Sequence, residues 1–560
     1  MMLLLLVVAV VLVLVVVRDL LQRRHAILRN FPIIGHFRYW LEFVGPELRQ
    51  YIVTGNDEER PFSRDQRRWI YASAKQQNNY FGFGTDNDLE HPANQILIKH
   101  VTFPAAEPAP GSIGGSPDYA VPCAKVMGAW TGRAKAFRPA SVINISGMSF
   151  GALSATAVEA MNIGAKLAGC LHNTGEGGLA SYHQCGGDLI FQIGTGYFGV
   201  RDERGRFDLD RLVQLVETNP IRAVEIKLSQ GAKPGHGGIL PGPKVTAEIA
   251  RFRGVRASVD CSSPPGHTEF SDVDGLIDFI ERIAAVTGLP VGIKAAVGDL
   301  TFFEELAERM RVRHEGPDFI TIDGGEGGTG AAPLVFADHV SLPFKIGMSR
   351  VYRAFAACDM HENVVFIGSG RLGFPEQTLL AFSLGCDMVN VAREAMIAVG
   401  CIQAQRCHTN HCPTGVATQS KWLMRGLDPT LKSARLANYI VTLRKELLEL
   451  SRTCGVAHPA MVTPATLEIA DGRYVSRPVH ELFAYEDGWG VPKAEDIAGL
   501  EALLAQGTAV DPGEAGTARP DSIDTRPQVT AASRHDAARA SDGRRARGGP
   551  EPDPAPSHGR

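Results

Sequence analysis

Short apolar runs alternate with helix-period segments through the middle of the chain. Seven runs are clear, over 142–145, 189–191, 223–226, 291–294, 319–322, 364–367 and 388–391, and residues 170–174 supply a weaker eighth. Helical periodicity is plain between several of them, as in 302–312 and 376–384. Continuous apolar strands that alternate with helices are typical of a parallel sheet. Eight such units over about 250 residues predict an α/β protein with a (β/α)8 TIM barrel, and a doubly wound open sheet is the alternative.

Residues 1–17 form an unbroken apolar run without a charge. A helix of that length spans about 25 Å, the low end for crossing a bilayer. Basic residues follow the run at Arg18, Arg23 and Arg24, and none precedes it, which is not the order of a signal peptide. We therefore expect residues 1–25 to be a single-pass transmembrane anchor with a basic flank and the catalytic domain to lie in the cytoplasm. A buried element or a misassigned start codon is the alternative.

The pattern also predicts the other boundaries. Residues 26–139 form an N-terminal cap region, 140–425 the barrel, 426–505 a helical extension and 506–560 a tail. The tail is rich in Gly, Pro, Ala, Asp and Arg and has almost no large apolar residue, so we expect it to be disordered. Aromatic side chains within 27–51 favour either the membrane interface or ordinary packing. The formal net charge of −4 gives no indication of a nucleic-acid partner.

Glycine and polar residues follow most of the predicted strands, at the end where barrel enzymes hold their active sites. The clearest stretches are residues 146–151, 173–178 and 230–238. Lys294 is embedded in an apolar strand, where a charge is costly without a partner. Its partner is either the edge of a flavin, which becomes anionic on reduction, or a carboxylate within the barrel.

Two loops that follow strands match G-x-G-x-x-G, at 325–330 and 368–373. A dinucleotide fingerprint also needs an acidic residue at the end of the next strand. The strand after the second loop ends instead at Ala392 and Arg393, and the first loop does not open cleanly into a helix. Two glycine loops late in a barrel favour one phosphate held by backbone N–H groups, and so FMN rather than NAD. Plain tight turns are the alternative.

The sharpest motif is a run of three cysteines, Cys401, Cys407 and Cys412, with a proline directly after the last. Three thiolates at this spacing suit an iron–sulfur cluster, and three ligands rather than four indicate the 3Fe-4S type. Zinc is the competing interpretation, with His408 or His411 as the fourth ligand. The other seven cysteines are scattered, and we expect them to be buried, reduced and inert.

Four stretches in one order resemble the FMN-binding synthase domain of glutamate synthase. They are residues 145–154 (ISGMSFGALS), 173–178 (NTGEGG), 230–235 (QGAKPG) and 407–419 (CHTNHCPTGVATQ). The similarity runs from about residue 144 to residue 419, half of the chain.

The resemblance implies an FMN at the carboxyl mouth of the barrel. The flavin and ribityl part would contact Ser146, Met148, Asn173, Gln192 and Lys294. The phosphate would be held by Gly327, Gly328, Gly370 and Arg371. The 2-oxo-acid pocket would contain Glu176, Gln230, Lys233 and Arg253. A 3Fe-4S cluster would be carried by Cys401, Cys407 and Cys412.

The activity implied by the resemblance is that of an oxidoreductase acting on CH–NH2 groups. It would reduce a 2-imino acid, formed from 2-oxoglutarate and ammonia or an amine, to glutamate, with a reductant such as ferredoxin. Lys233 and Arg253 suit a dicarboxylate substrate, and Glu176 either protonates or orients the imine nitrogen.

The sequence departs from the family in three ways. It shows no glutaminase half, and its earliest cysteine is Cys123, so ammonia is free, comes from a separate glutaminase or amine-supplying subunit, or is not the substrate. His236 stands where the family commonly has Glu, and residues 260–267 follow the family loosely.

Two other functions therefore stay open. One is a membrane-tethered amino-acid or N-alkylglutamate dehydrogenase or synthase that exchanges electrons with a membrane acceptor through the cluster. The other is a non-enzymatic scaffold.

Overall fold

The computed structural model describes residues 1–22, 24–80, 82–85, 87–89, 93–472 and 474–507. Ahead of the barrel it has four α-helices and one strand: α1 (Met2–Leu21), α2 (Ala26–Asn30), α3 (Ile34–Leu48), α4 (Arg64–Ala74) and β1 (Ala93–Ile98). A π-helical turn, Arg49–Val53, follows α3 directly. Among the described residues α1 is the one helix long and apolar enough to cross a membrane, a test that signal sequences also pass.

The eight predicted strands close into a parallel barrel, so the TIM-barrel prediction is confirmed and the open sheet is excluded. The last barrel strand pairs with the first, with Val389 opposite Ile143 and Val391 opposite Ile145. The strands of this region are β2 (Ile143–Ile145), β3 (His172–Asn173), β4 (Leu189–Ile193), β5 (Ile221–Lys227), the short antiparallel pair β6 (Ile239–Leu240) and β7 (Cys261–Ser262), β8 (Val291–Ala295), β9 (Phe319–Asp323), β10 (Val365–Ser369) and β11 (Met388–Val391).

Helices lie between the barrel strands, as the sequence pattern predicts. They are α5 (Ala155–Ala168), α6 (Leu209–Thr218), α7 (Ala247–Arg253), α8 (Val273–Thr287), α9 (Thr301–Arg313), α10 (Leu334–His339), α11 (Phe344–Ala356), α12 (Pro375–Ser383) and α13 (Arg393–Ala398). Several begin at a capping side chain, such as Ser154, Asp208 or Asp272, which accepts a bond from a first-turn N–H. These caps fix where each connection ends and each helix begins.

Alternation along each strand divides the barrel interior from the layer beneath the helices. In β9, Ile320 and Ile322 join the main core, whereas Phe319 belongs to a separate inner cluster. The inner cluster is apolar and comprises Cys123, Met127, Leu171, Ile190, Ala223, Phe319, Val365, Ile367 and Met388. Further along the strands the buried side chains become polar, as in Gln192 and Glu225. The barrel is therefore filled at one end and polar at its carboxyl end.

The segment after the barrel contains α14 (Lys421–Met424), α15 (Pro429–Thr453), β12 (Leu467–Asp471), β13 (Ser476–Pro478), α16 (Val479–Leu482) and α17 (Ala494–Ala505). The expected extension is thus not only helical. β12 pairs with both β1 and β13 in a three-stranded antiparallel sheet, so the cap region and the extension share one sheet. The predicted tail lies outside the described residues from 508 onward, and its disorder stays a prediction.

Candidate active site

A cavity of about 600 Å³ opens where the barrel strands end, a size typical of small-molecule sites. Most of the residues predicted to bind cofactor or substrate line it. They are Ser146, Met148, Glu176, Gln192, Gln230, Lys294, Gly327, Gly328, Gly370, Arg371, Cys401 and Cys407. Segments distant in sequence therefore converge on one space.

Four predicted residues, Asn173, Lys233, Arg253 and Cys412, are buried behind this lining rather than in it. Lys233 Nζ donates to the Gly237 carbonyl at 2.8 Å. Arg253 Nη2 donates to Ser149 Oγ and the Phe150 carbonyl, each at 3.2 Å. The side chains of Lys233 and Arg253 support the walls of the cavity, and their positive charges act on the groups that line it.

Glu225 organises the polar floor of the cavity, and sequence reasoning did not single it out. Its carboxylate is fully buried and accepts bonds from Asn173 Nδ2 at 2.8 Å, Gln192 Nε2 at 2.6 Å and Thr321 Oγ1 at 2.7 Å. These bonds fix the orientation of both amide side chains. An acidic residue inside the apolar run 223–226 was the available signal, of the same kind that singled out Lys294.

Lys294 has a protein carboxylate as its partner. Its Nζ lies 3.6 Å from Asp323 Oδ2 and 3.5 Å from Ser146 Oγ, and the side chain lines the cavity. The sequence left either a flavin edge or a carboxylate within the barrel as the partner of Lys294. The ion pair with the carboxylate of Asp323 is present. Asp323 Oδ2 also accepts the Gly231 N–H at 2.9 Å. A Cβ on Gly231 would lie 1.8 Å from the Gly324 carbonyl oxygen, so only glycine permits this contact between the two loops.

Glu176 and Lys227 form the central ion pair of the lining, with Nζ 2.7 Å from Oε1. Lys227 also donates to Gln230 Oε1 at 2.6 Å. Burial acts to raise the pKa of Glu176, but Lys227, Lys233 and Arg253 together outweigh it and hold that pKa below its usual range. Glu176 is therefore a carboxylate at neutral pH. Lys227 was not predicted, although it ends the same strand as Glu225.

Two arginines converge at another wall of the cavity. The guanidinium carbons of Arg371 and Arg393 lie 5.3 and 5.1 Å from the centre of the Phe62 ring. Burial, and then the neighbouring Arg393, lower the pKa of Arg371. Arg371 Nε has no hydrogen-bond partner among the described residues. Like charges held side by side at a half-buried wall are costly, so this wall is suited to an anion.

The glycine loops bring main chain to the same wall. A Cβ on Gly328 would lie 2.7 Å from Arg393 Nη1, so a larger residue there would displace the guanidinium. Gly370 has a φ of +134°, a conformation that L-residues rarely adopt. Neither loop makes a dinucleotide fingerprint, and both border the cavity beside the arginines.

The cysteine segment 401–412, which we name the cysteine loop, forms a further wall. Cys401 and Cys407 line the cavity, and Cys412 is buried. The pKa of Cys401 is raised to about 12, mainly by burial and in smaller part by the nearby Cys407 and Cys412. The three thiols are thus close enough to influence one another, as the motif predicts.

No group of three or more His, Cys, Asp or Glu side chains in the described part of the chain is arranged to hold a single metal ion. The described residues therefore do not distinguish the zinc alternative from the cluster. His411 is engaged elsewhere, with Nδ1 2.7 Å from the Thr409 carbonyl oxygen. A multi-iron cluster needs its thiolates farther apart than one ion does, so the cluster stays a prediction.

Comparison with known proteins identifies the family. Residues 128–457 match the conserved region of glutamate synthase. The glutamate synthase large subunit-like protein YerD of Bacillus subtilis is 38% identical over 473 residues, which cover 79% of this chain and 89% of that protein. The archaeal glutamate synthase [NADPH] of Methanocaldococcus jannaschii is 34% identical over 317 residues, 56% of this chain and 59% of that enzyme.

Two further matches are more limited. The ferredoxin-dependent glutamate synthase of Cyanidium caldarium is 32% identical over 54% of this chain, but the match covers only 20% of that enzyme. A crystal structure of mandelate oxidase overlaps 73% of this chain and 91% of its own with a TM-score of 0.40 and 14% identity, so neither fold nor function is inferred from it. The family match spans more than half of the sequence and includes the whole barrel. The chain therefore belongs to the glutamate synthase family of oxidoreductases.

Proposed function

We propose that this protein binds FMN and a 3Fe-4S cluster and reduces a 2-imino acid, formed from 2-oxoglutarate and ammonia, to glutamate. The observation that carries the proposal is the convergence of three walls on one cavity. These are the cationic surroundings of Glu176, the arginine pair and the cysteine loop. Each suits one part of the chemistry.

The arginine wall fits the phosphate of FMN. Arg371 and Arg393 supply charge, and the glycine loops supply close approach of the backbone. Ser146, Gln192 and Lys294, which line the same cavity, present donors to the carbonyl edge of a flavin ring. When bound, FMN would supply hydride chemistry and the cluster single-electron transfer.

The substrate pocket carries an excess of positive charge. Three cations, Lys227, Lys233 and Arg253, act on the single carboxylate of Glu176. Burial, and then Lys227, lower the pKa of Lys233, and Glu176 opposes them only in part. A dicarboxylate such as 2-oxoglutarate would neutralise the excess, whereas a neutral or basic substrate would not.

Glu176 is better suited to orienting nitrogen than to donating a proton. Its pKa lies below the usual range, so it carries no proton to give at neutral pH. A carboxylate at this position accepts a hydrogen bond from ammonia or from an imine N–H. Lys227 keeps it in place at 2.7 Å. Of the two roles that the sequence left open for Glu176, the lowered pKa favours the orienting one.

A second candidate is the reverse reaction, in which a membrane-tethered dehydrogenase oxidises glutamate or an N-alkylglutamate. The observation that favours it is the attachment of α1 to the folded domain. The buried Asp19 near the end of α1 accepts the Ile33 N–H at 3.1 Å and lies 2.9 Å from His36 Nε2. This arrangement favours an anchor that stays attached to its domain in the mature protein. The basic residues that follow the apolar run favour a cytoplasmic position of that domain.

The test is an absorption and EPR spectrum of the purified protein, with analysis of flavin, iron and sulfide. We expect about one FMN and three irons per chain. Cys407→Ser should remove the cluster signals and leave flavin bound, and Cys185→Ser, outside the cysteine loop, should change neither. Wild-type protein that retains no FMN and no iron after reconstitution would refute the cofactors and revive the scaffold alternative.

Turnover tests the substrate. Reduced methyl viologen, ammonia and 2-oxoglutarate should yield glutamate. Absence of glutamate, together with bleaching of the flavin by an amino acid, would refute the synthetic direction in favour of the dehydrogenase. Addition of ferredoxin or a glutaminase subunit would then identify the natural donor and the source of nitrogen.

A further inference from the structure

A second cavity lies along α3, between α2 and the cysteine loop, and we name it the α3 groove. Its volume is about 920 Å³. The walls are mainly apolar and include Ile27, Phe31, Ile34, Phe37 and Leu41. Phe31, Ile34 and Phe37 are 60–77% exposed. Exposed large apolar side chains around an open cavity mark a place where an apolar ligand or surface binds.

The α3 groove also contains polar donors. Arg38, Arg49 and Gln405 are among its lining residues, together with Glu42, whose Oε1 lies 2.7 Å from Arg38 Nη2. The groove therefore offers N–H groups as well as apolar walls. An acyl chain uses only the walls, whereas a ligand with an apolar tail and carbonyl oxygens uses both.

Gln405 connects the α3 groove to the active site. It lines both the α3 groove and the barrel cavity. It stands two residues before Cys407, so their Cα atoms are at most about 7.6 Å apart. The cysteine loop is thus a wall common to the two cavities, and a molecule in the groove lies beside the proposed cluster ligands.

Several contacts hold the end of α3 and the following π-helical turn against the cysteine loop. Gln50 Nε2 donates to the Ile402 carbonyl at 2.8 Å, and Tyr51 OH donates to the same oxygen at 3.1 Å. Arg406 Nη2 lies 2.7 Å from Glu47 Oε1. The position of the groove relative to the loop is therefore fixed by paired side chains.

The apolar helix α1 ends next to this groove. Asp19 bonds to Ile33 and His36, at the junction where α3 begins, and α1 packs on α2. The groove is lined by residues of α2 and α3. A lipid-soluble molecule that diffuses in a bilayer around α1 thus has a short path into it.

We propose that the α3 groove binds a lipid-soluble quinone, which exchanges electrons with the active site at the cysteine loop. The inference rests on the proposed function for its redox chemistry. In the synthetic direction quinol, 2-oxoglutarate and an ammonium ion give quinone, glutamate and water, with two electrons and two protons leaving the quinol. The dehydrogenase direction is the same equation reversed. The quinone oxygens would accept bonds from Arg38, Arg49 or Gln405.

Photolabelling tests the binding directly. The full chain in phospholipid nanodiscs is irradiated with an azidoquinone, and the labelled peptides are mapped by mass spectrometry. We expect labels within residues 27–49 or at Gln405, with displacement by excess decylubiquinone. Labels elsewhere, or labels displaced equally well by added phospholipid, would overturn the proposal, and the second result would mean that the groove holds lipid.

Two variants sharpen the test. A Cβ on Gly45 would meet nothing within 4 Å, so Gly45→Leu fills the groove without a clash. It should reduce displaceable labelling at least tenfold. Leu48→Phe adds apolar volume on the same helix outside the groove and should leave the labelling unchanged. Equal labelling of wild type and Gly45→Leu, at equal melting temperature, would refute the assignment.

The double variant Arg38→Gln with Arg49→Gln removes donors and keeps the apolar walls. It should weaken displacement by decylubiquinone at least fivefold. Unchanged displacement would mean that no quinone carbonyl is recognised there, contrary to the proposal.

Turnover separates this inference from the proposed function. Gly45→Leu should lose glutamate-dependent reduction of decylubiquinone and keep glutamate formation driven by reduced methyl viologen. A Gly45→Leu variant that retains both activities would contradict the assignment of the groove. If wild type is inactive in both assays, the proposed function fails, and the labelling result still decides whether the groove binds quinone.

Discussion

Single charges determine what the cavity can bind, because each acts at short range inside a buried site. Glu176 illustrates this, since its protonation state depends on Lys227 at 2.7 Å and on two cations behind the wall. Sequence reasoning found Glu176 through its glycine-rich loop. Its role followed only from the neighbours that tertiary structure supplies.

The first prediction concerns Glu176→Gln. The amide keeps the volume but lacks the negative charge that pairs with Lys227, so the nitrogen of the substrate faces a neutral and weaker acceptor. We expect glutamate formation to fall by at least about 100-fold in kcat, with FMN still bound. Steady-state assays and flavin absorption measure the two effects. Glu305→Gln, on the exposed face of α9, is the control and should retain full activity.

The second prediction concerns Arg371→Gln. Removing this guanidinium takes one charge from the arginine wall, which should weaken FMN binding by about 10- to 100-fold, as expected for a charge-assisted phosphate contact of 1.5–3 kcal/mol. Titration of the apoprotein with FMN, followed by fluorescence, gives the Kd. Arg350→Gln removes an exposed arginine from α11 and should leave the Kd unchanged. An equal Kd in all three proteins would place the phosphate elsewhere.

Among the elements, the barrel strands were the most predictable part. Each is a continuous apolar run, because both of its faces are covered. All eight predicted strands are present, including the weak one, of which only His172–Asn173 is assigned as strand. Its partners β2 and β4 extend the ladder on either side, which a local pattern cannot reveal.

The sheet outside the barrel was not predicted. β1 precedes the barrel and β12 follows it, and they pair across more than 360 positions of sequence, as in Ile98 with Leu467. Short runs of this kind carry no distinguishing periodicity. Only the folded barrel brings these two strands side by side. The sequence pattern therefore predicts the cap region and the extension as separate segments, although they share one sheet.

The third prediction belongs to the junction between the cap segment and the closed end of the barrel. Arg133 is buried, with Nε 3.0 Å from Asp318 Oδ2 and Nη1 2.6 Å from Glu281 Oε2. Arg133→Met strands Asp318, whose side chain is 0% exposed, and should lower the free energy of unfolding by about 3 kcal/mol. Denaturant unfolding measures it.

A matched surface pair provides the contrast for that experiment. Arg311 and Glu308 approach to 2.6 Å on α9, but both are about half exposed. Arg311→Met should therefore leave the free energy of unfolding almost unchanged, because solvent screens the pair. If Arg311→Met lowered the free energy of unfolding as much as Arg133→Met does, the buried ion pairs of Arg133 would not be a special source of stability.

At the scale of the whole molecule, buried neutral histidines should make the fold sensitive to acid. Burial lowers the pKa of His458 to about 3 and that of His183 to about 4, and it holds the pKa of His172 well below its usual value. An unfolded chain takes up these protons near pH 6.5. Stability is therefore complete above about pH 6.5 and decreases as the pH falls toward the folded values.

The fourth prediction quantifies this for His458, which lies 3.0 Å from the Pro122 carbonyl oxygen. Between pH 6.5 and pH 5 it should account for about 2 kcal/mol of lost stability. His458→Gln should reduce the difference in unfolding free energy between pH 7 and pH 5 by that amount. His314→Asn, at an exposed position, should leave the difference unchanged. An unaltered pH dependence in His458→Gln would show that this histidine is protonated in the folded state.

The sequence by itself determined the barrel, the family and the three-cysteine motif. All three features depend on the period of the apolar residues or on residues close together in the chain. Such features can be seen in the sequence without knowledge of the fold. It also located most of the residues that line the cavity, because they follow strands whose ends meet at one mouth.

Tertiary structure alone decided the arrangements that join distant segments. The hydrogen-bond partners of Glu225, which are Asn173, Gln192 and Thr321, lie on separate strands. Their spacing in the sequence does not predict these bonds. The same holds for the contact of Gln50 with Ile402, 352 positions away. The physical reason is that burial and charge act through space. Which carboxylate keeps its charge, and which groove borders the cysteine loop, depend on neighbours that only the closed barrel assembles.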